Sequence, residues 1–173
     1  MLVGVISDVH ANRVALRAVL EDMPEVDRLV CAGDVVGYNP WPADCVDALR
    51  DRDVPTVAGN HDRAVVTGAG FGANGMAHAG VEHARESLDD EDVLVMGHTH
   101  VQHHERYDDG IVLNPGSVGQ PRDDDPRAAY AVVDLGAPTV EEHRVEYDVD
   151  RVVEAVEAAG LPRQTGERLR KGQ

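Results

Sequence analysis

The stretch LVGVISDVHANRVALRAVLEDMP, residues 2 to 24, carries the pattern on which the fold prediction rests. Its first part, LVGVIS, is a short apolar run that ends in a polar turn, which is typical of a buried strand. From Val14 onward apolar residues recur at helical spacing, with Asn12 in the N-cap position and Pro24 just beyond the end. The stretch therefore predicts a strand followed directly by a helix.

The alternation of strand and helix continues after residue 24. RLVCAG (28–33) predicts a second strand, WPADCVDALRDR (41–52) a second helix opened by Pro42, and VPTVAG (54–59) a third strand. A glycine-rich loop and a helix within MAHAGVEHARESL (76–88) are predicted next, and DVLVMG (92–97) predicts a fourth strand. This alternation indicates an α/β fold with a largely parallel sheet flanked by helices.

The last third of the chain has a different pattern. VQHHERY, GIVLN, AAYAVVDL and TVEEHRVEY are rich in β-branched residues and are separated by turn sequences, which indicates antiparallel hairpins. A helix is predicted over residues 149 to 159, and Gly160 and Pro162 end it. We therefore expect a single domain over residues 1 to 162, followed by a loose polar tail over residues 163 to 173.

The net charge is strongly negative, because 32 acidic residues oppose 16 basic ones and give −16. Self-repulsion of this size destabilises a compact state in dilute buffer, but at about 1 M salt the screening length falls to about 3 Å. We therefore expect a halophilic protein, with an ordinary acidic protein as the alternative. The same charge argues against nucleic-acid duplexes as partners, since no stripe of lysine and arginine is available to neutralise phosphates.

Cysteine content and hydropathy indicate a reducing, cytoplasmic compartment. The chain has only two cysteines, too few for a disulfide framework, and Cys31 lies in an apolar run that predicts a buried thiol. The N-terminus has no basic start and only a short apolar run before Asp8, so we expect neither a signal peptide nor a membrane span.

Polar side chains follow each of the four predicted strands. They are Asp8 and His10, then Asp34, then Asn60, His61 and Asp62, and finally His98 and His100. Because the carboxyl ends of parallel strands meet at one edge of a sheet, we expect these side chains to lie close together. Oxygen and nitrogen donors without thiolate suit Mn, Fe, Zn or Ni better than a structural zinc site. Each aspartate or asparagine taken alone has the alternative role of a turn former.

The local spacing also supports a shared site. Residues two apart in an extended segment project to the same side, so His98 and His100 can both face the edge, as can Asp8 and His10. The glycines that precede these motifs are expected to let the backbone turn sharply after each strand; they are Gly33, Gly59 and Gly97.

Four motifs in this order resemble those of the calcineurin-like metallophosphoesterases, particularly their small archaeal and bacterial phosphodiesterase branch. The motifs are DVH (8–10), GDVVG (33–37), GNHD (59–62) and GHTH (97–100), and NPGSVGQPR (114–122) is similar to that branch too. The resemblance covers nearly the whole chain. It implies an α/β sandwich of two mixed β-sheets flanked by helices. It also implies a phosphodiesterase or phosphatase that hydrolyses phosphomonoesters or phosphodiesters through metal-activated water.

The resemblance implies a role for each matched residue. Asp8, His10 and His100 would hold one ion, Asp34 would bridge, and Asn60 and His98 would hold the second. One or two divalent transition ions are expected, with Mn²⁺ ranked first and Fe, Zn or Ni as alternatives.

His61 and Asp62 are the remaining matched residues, and the resemblance places His61 near the leaving group. A protonated His61 can donate to the leaving oxygen, with Asp62 orienting its ring. The alternative role of His61 is a structural hydrogen bond.

The chain departs from the family pattern between GNHD and GHTH. Similar members carry there a further strand that ends in a histidine followed by glycine, and this histidine completes the ligands of the second ion. Only 34 residues, Arg63 to Met96, separate the motifs here, so we expect one sheet to be short of a strand.

Three interpretations follow from this departure. The protein is a weakened or single-ion hydrolase; or His78 or His83 replaces the missing ligand; or it is a catalytically impaired scaffold that binds a protein partner, similar to the scaffold subunit of retromer. An open sheet edge would need cover, so a homo-oligomer through that edge is a further hypothesis. Tyr38 and Trp41 follow GDVVG closely enough to line a pocket, and the alternative is packing under the second helix.

Overall fold

The computed structural model describes residues 1–67, 92–107 and 110–173. The strands in these residues are β1 Leu2–Ile6, β2 Arg28–Cys31, β3 Asp92–Val95, β4 Gln102–Tyr107, β5 Gly110–Pro115, β6 Ala128–Asp134 and β7 Thr139–Val145. The helices are α1 Arg13–Asp22, α2 Pro42–Arg50, α3 Asn60–Thr67, α4 Val149–Ala158 and α5 Arg163–Leu169. No helix in these three ranges has both the length and the apolar character that spanning a membrane requires.

The strands form two mixed sheets, which confirms the expected α/β sandwich flanked by helices. The four-stranded sheet has the order β2-β1-β6-β7, in which only β1 and β2 are parallel. The three-stranded sheet has the order β3-β5-β4, with β3 parallel and β4 antiparallel to β5. The largely parallel sheet predicted from the alternation alone is wrong, because the antiparallel strand β6 lies beside β1.

Two cores hold the sandwich together, and β1 and β6 contribute to both because alternate residues of a strand face opposite sides. Ile6 and Tyr130 belong to the core under α1 and α2. Val5 and Val133 belong to the core between the two sheets, where Leu113 of β5 packs against them. Helices therefore cover one face of the four-stranded sheet, and the three-stranded sheet covers the other.

Helix α1 begins where the sequence predicts, because Asn12 acts as its N-cap. The Asn12 Oδ1 accepts a hydrogen bond from the backbone N–H of Ala15 at 3.1 Å, as an N-cap residue does. Its Nδ2 donates to the carbonyl oxygen of Gly119 at 3.1 Å. This buried side chain thus starts the helix and also fixes the loop that follows β5.

Residues 54–59 do not form the predicted third strand. They make a single bridge between Thr56 and Cys31, with backbone hydrogen bonds from Cys31 N to Pro55 O and from Val57 N to Cys31 O. The pairing does not extend because Pro55 has no N–H and the chain enters α3 directly after Gly59. The segment still runs alongside β2, so it delivers residues 60–62 to the expected edge.

Residues 163–173 are not a loose tail. Residues 163–169 form α5, whose Leu169 is fully buried against Val152 and Val156 of α4. The Arg170 guanidinium also pairs with Asp150 at 2.7 Å. The prediction of a loose tail is therefore wrong, because contacts with α4 supply the order that the polar sequence does not indicate.

The segment between α3 and β3 lies outside the described residues. This applies to the predicted helix within residues 76–88, to His78 and His83 as substitute ligands, and to the expected missing strand. Helix α3 itself was not predicted, and it places Asn60, His61 and Asp62 in a first helical turn rather than in an open loop.

Candidate metal centre

Three loops converge at one edge of the sandwich, and hydrogen bonds donated by backbone N–H groups join them. The loop after β1 donates from Asp8 N to Gly33 O at 3.0 Å and from His10 N to Asp34 O at 2.9 Å. The loop after β3 approaches from the other sheet, where His98 N donates to both carboxylate oxygens of Asp8 at 3.1 Å. The two sheets therefore share this edge, although a single parallel sheet was expected to build it.

The backbone of these loops is strained. Among the described residues nine non-glycine residues have positive φ, and seven of them lie at this edge: Asp8, His10, Ala11, Asp34, Tyr38, His98 and His100. Each such residue costs on the order of 1–3 kcal/mol and persists only where the surrounding structure fixes it. Strain concentrated in this way is typical of a functional site.

The backbone conformation also corrects the reason given for the histidine pair. His98 and His100 have φ values of 74° and 62°, so they do not lie in an extended segment. Their side chains diverge: the His100 ring reaches Asp8, and His98 Nδ1 lies 2.9 Å from the Asn60 side-chain oxygen. The prediction that alternation along a strand aligns them is wrong.

Three buried side chains bring their donor atoms together. The Nε2 atoms of His10 and His100 are 3.1 Å apart. The Asp8 Oδ1 lies 3.2 Å from the His100 Nε2 and 3.6 Å from the His10 Nε2. All three residues are at most 2% exposed. Two imidazole nitrogens and one carboxylate oxygen thus surround a single point.

The other ring nitrogens show which atoms of the histidines face this point. His10 Nδ1 lies 3.2 Å from the carbonyl oxygen of Val36, and His100 Nδ1 lies 2.5 Å from that of Gln120. Because a carbonyl oxygen only accepts, each Nδ1 carries a hydrogen, and in the neutral ring each Nε2 then presents a lone pair. Two lone pairs and a carboxylate this close repel one another unless a cation lies between them. The arrangement fits a divalent ion whose histidine ligands are oriented by backbone carbonyls.

Asp8 is held as an anion. Burial raises the pKa of its carboxyl, but the His10 and His100 imidazoles and the Ser7 hydroxyl outweigh burial and keep this pKa well below its usual range. Ser7 Oγ donates to Asp8 Oδ2 at 2.6 Å.

A second group of donors adjoins the first. Asp34 Oδ1 accepts from the backbone N–H of His61 at 2.8 Å, and one donor atom each of His10, Asp34 and His61 lies within 4.8 Å of the others. Asn60 and His98 lie beside this group and contact each other. His98 is exposed, whereas the donors of the first group are buried.

His61 packs into a group of rings at the same edge. Its ring centroid lies 4.7 Å from that of His10 and 4.6 Å from that of Tyr38. Burial lowers the pKa of His61, and the nearby His10 lowers it further, which favours a neutral ring. A neutral imidazole is too weak an acid to protonate a leaving oxygen. The acid role therefore requires His61 to be protonated when substrate is present.

Asp62 joins two of the loops. Its Oδ1 accepts from Val36 N at 3.1 Å, and its Oδ2 accepts from Gly59 N at 3.0 Å. These bonds hold the loop after β2 against the start of α3. The role of Asp62 as an orienter of the His61 ring stays a prediction.

The glycines at this edge are required for space as well as for turning. A Cβ added to Gly59 would lie 2.0 Å from Asp34 Oδ1, and one added to Gly97 would lie 2.1 Å from Ser7 Oγ. Of the three glycines expected to provide sharp turns, only Gly33 has positive φ, at 97°. Close approach therefore explains Gly59 and Gly97 better than backbone freedom does.

Several residues of the site were not predicted. Gln120 and Ser117 lie in NPGSVGQPR, which was recognised as a motif without a role for its members. The Ser117 hydroxyl donates to Asp8 O at 2.8 Å and accepts from Gln120 N at 2.8 Å, so this loop supports both Asp8 and His100. For Tyr38 the sequence left two alternatives, lining a pocket or packing under the second helix. Its ring lies at this edge and contacts the ring of His10.

Comparisons with known proteins agree with this geometry. Residues 1–137 match the family described as the calcineurin-like phosphoesterase superfamily domain. The crystal structure of a metallophosphoesterase from Sphaerobacter thermophilus is similar with a TM-score of 0.82 and 31% identity, covering 100% of this chain and 99% of that one.

Two proteins of Methanocaldococcus jannaschii are also similar. One is uncharacterized and 29% identical, with 97% of each chain covered; the alignment spans 235 positions against 173 residues here, so this relative has segments that the present chain lacks. The other is a probable metallophosphoesterase, 33% identical with 70% of each chain covered.

Proposed function

Because the chain belongs to the calcineurin-like phosphoesterase superfamily, we propose that it is a metal-dependent phosphoesterase that hydrolyses phosphomonoesters or phosphodiesters. The observation that supports this best is the buried convergence of Asp8, His10 and His100 on one point. Their donor atoms lie 3.1 to 3.6 Å apart, as ligands of a shared ion do when each contributes one atom. The family implies the ion, and these residues fit it.

Asp8, His10 and His100 hold the first ion in this proposal, and Asp34 lies next to them and bridges to the second. Asn60 and His98 complete the second position, which has fewer buried donors than the first. We therefore expect the first ion to bind more tightly than the second. Carboxylate, imidazole and amide donors without thiolate rank Mn²⁺ first, with Fe, Zn and Ni as alternatives.

Ions bound here would lower the pKa of the attacking water and neutralise charge on the phosphoryl oxygens. The residues of the chain supply the rest. Asp8 remains anionic, the backbone carbonyls orient the two buried imidazoles, and the Asp62 carboxylate fixes the loop that carries Asp34 to the start of α3. His61 lies beside this group, and in this proposal it donates to the leaving oxygen.

The test combines metal content with activity. Bound metal per chain is measured by elemental analysis, and an aryl phosphodiester and an aryl phosphomonoester are then assayed with Mn²⁺ in molar KCl. Asp34→Asn should lose most of the activity, since it removes the bridging charge. Asp47→Asn is the matched control, because this exposed carboxylate pairs with Arg50 on the surface of α2.

Two results would count against the hydrolase. A native protein without bound metal and without activity on either ester, but with a stable protein partner, would favour the scaffold alternative. Activity that is equal in the native protein and in Asp34→Asn would contradict the assigned ligand set.

The composition leads to further proposals. We propose that the acidic surface is an adaptation to a salty cytoplasm, as the net charge of −16 suggests. A homo-oligomer that covers an open sheet edge is also proposed, and light scattering that shows a monomer at all concentrations would exclude it.

A further inference from the structure

The side chain of Arg122 donates to neutral acceptors, whereas half of the other fourteen arginines pair with an acidic residue. Seven other arginines form ion pairs with aspartate or glutamate: Arg13, Arg17, Arg50, Arg127, Arg144, Arg163 and Arg170. Arg122 has no such pair among residues 1–67, 92–107 and 110–173. Its Nη2 donates instead to two neutral oxygens, Tyr38 Oη at 3.1 Å and Gln120 Oε1 at 2.7 Å.

The guanidinium of Arg122 is incompletely satisfied by the protein. Its Nε is buried and has no hydrogen-bond partner in the described part of the chain. Leaving a buried donor of a charged group unpaired costs free energy that a negatively charged ligand would recover. The net charge of the chain is −16, yet this half-buried arginine has no carboxylate partner among the described residues, so its donors are available to such a ligand.

The position of Arg122 links this charge to the metal centre. Its backbone N–H donates to the carbonyl oxygen of His100 at 3.2 Å. Its guanidinium carbon lies 5.7 Å from the centroid of the Tyr38 ring, and that ring contacts the rings of His10 and His61 at 4.7 and 4.6 Å. The backbone of Arg122 therefore contacts the proposed ligand His100 directly. The Tyr38 ring lies between its side chain and the rings of His10 and His61.

We propose that Arg122 binds the phosphoryl oxygens of the substrate, and that Tyr38 and Gln120 position its guanidinium. This inference rests on the proposed function and adds a specificity residue to it. Both N–H groups of Nη2 are used by the protein, so Nη1, or Nε after a small movement, is the donor that meets the anion. The dianionic group of a phosphomonoester gains more from this cation than the monoanionic group of a diester does.

A purely structural role for Arg122 predicts a different arrangement. The loop that carries it is already fixed by Ser117 and by Gln120, whose side chain is 1% exposed. The backbone N–H of Arg122 would bind His100 with any side chain present. A structural arginine would also gain most from a carboxylate, and its two acceptors are neutral instead.

The test uses inorganic phosphate as the probe. Titration calorimetry with phosphate is carried out on protein loaded with Mn²⁺ and freed of excess metal, for the native chain, Arg122→Gln, Arg122→Lys and Tyr38→Phe. Arg50→Gln is the matched control, since Arg50 is exposed and pairs with Asp47 away from the site. Bound metal and melting temperature are measured for every variant, and KM and kcat are measured for an aryl monoester and an aryl diester.

Arg122→Gln should weaken phosphate binding by about 10- to 100-fold, with bound metal unchanged, because one charge-assisted contact is lost. KM for the monoester should rise by a larger factor than KM for the diester. Arg122→Lys retains the charge but not the planar donor, so it should fold like the native chain and bind phosphate less tightly. Tyr38→Phe should have a smaller effect of the same sign, and Arg50→Gln should have none.

Phosphate affinity within twofold of the native value in Arg122→Gln overturns the proposal. So does a loss of phosphate binding that is matched by loss of bound metal, since that would show a structural role. If Arg122→Gln does not fold, unchanged phosphate affinity in Arg122→Lys overturns it. Phosphate binding that depends on Arg122 in a native protein that hydrolyses no ester would support the phosphate site and contradict the proposed function.

Discussion

Replacing Gly97 by alanine tests whether close packing behind Asp8 builds the metal centre. The added Cβ would lie 2.1 Å from Ser7 Oγ and 2.7 Å from Asp8 Oδ2, both far inside van der Waals contact. Ser7 and Asp8 are 1% and 0% exposed, so neither can swing into solvent. The loop after β3 must therefore move away from the loop after β1.

The expected cost follows from this geometry. Overpacking of a close-packed site costs about 1–3 kcal/mol, which lowers the melting temperature of a domain of this size by about 2–12 °C. The movement also lengthens the bonds from His98 N to the Asp8 carboxylate, each 3.1 Å in the native chain. Since these bonds orient a proposed ligand, metal affinity should fall by about 10- to 100-fold.

Gly136→Ala is the matched control. Its added Cβ would have Asp134 Oδ1 as its nearest neighbour at 3.3 Å and Met1 N at 3.8 Å, and Gly136 lies far from the metal centre in sequence. Neither Gly97 nor Gly136 has positive φ, so both substitutions test space and not backbone freedom. Calorimetric melting of the metal-free variants and Mn²⁺ titration provide the two readouts. The reasoning is refuted if Gly97→Ala matches Gly136→Ala in both.

Three further predictions concern pH, salt and the C-terminal helix. Burial raises the pKa of Asp123, but the hydrogen bond from Arg144 outweighs burial and holds this pKa below 3.8. The pair therefore stabilises the fold above that pH, and the stabilisation is lost as pH falls through the folded-state pKa of Asp123. Asp123→Asn should destabilise by about 1.5–3 kcal/mol at pH 7 in urea unfolding, with a gap to the native chain that shrinks below about pH 4, and a constant gap would be inconsistent with this. Raising KCl from millimolar to molar should raise the melting temperature, and a decrease would contradict the proposed salt adaptation. Leu169→Ala should cost about 2–5 kcal/mol because this side chain is fully buried against α4, whereas a loose tail would give no change.

The parts of the fold that the sequence predicts correctly depend on local signals. Asn12 at an N-cap position and Pro24 beyond the helix indicate α1. This signal is reliable because the Asn12 side-chain oxygen accepts a hydrogen bond from a backbone N–H of the first helical turn. The runs of β-branched residues in the last third likewise become β4 to β7 with the expected hairpin pairing.

The errors concern one local signal that was overlooked and one feature that depends on a partner elsewhere in the chain. Residues 54–59 have the composition of a strand, but Pro55 limits their pairing with β2 to a single bridge. The helix α5 contains few apolar residues, and its order depends on Leu169 packing against Val152 and Val156 of α4. The packing of Leu169 against α4 is not visible in the residues of α5 itself, whereas Pro55 is present in its segment and its effect on pairing was not taken into account.

The proposed ligand set comes from motifs, and the motifs do not predict the geometry that brings these residues together. His98 and His100 were expected to share a side through strand alternation, whereas positive φ values direct them to different neighbours. The sequence also does not show that Gln120 O fixes the tautomer of His100, because these residues are joined only by the folded loops. Tertiary hydrogen bonds thus carry the information that motif spacing lacks.

Anomalous scattering from crystals grown with Mn²⁺ tests most directly whether Asp8, His10 and His100 form a metal site. We predict a strong peak at bonding distance from Asp8 Oδ1 and from the Nε2 atoms of His10 and His100, with a weaker peak near Asp34, Asn60 and His98. A map without a peak between the two imidazoles, with their Nε2 atoms still about as close as in the present structure, would contradict the account.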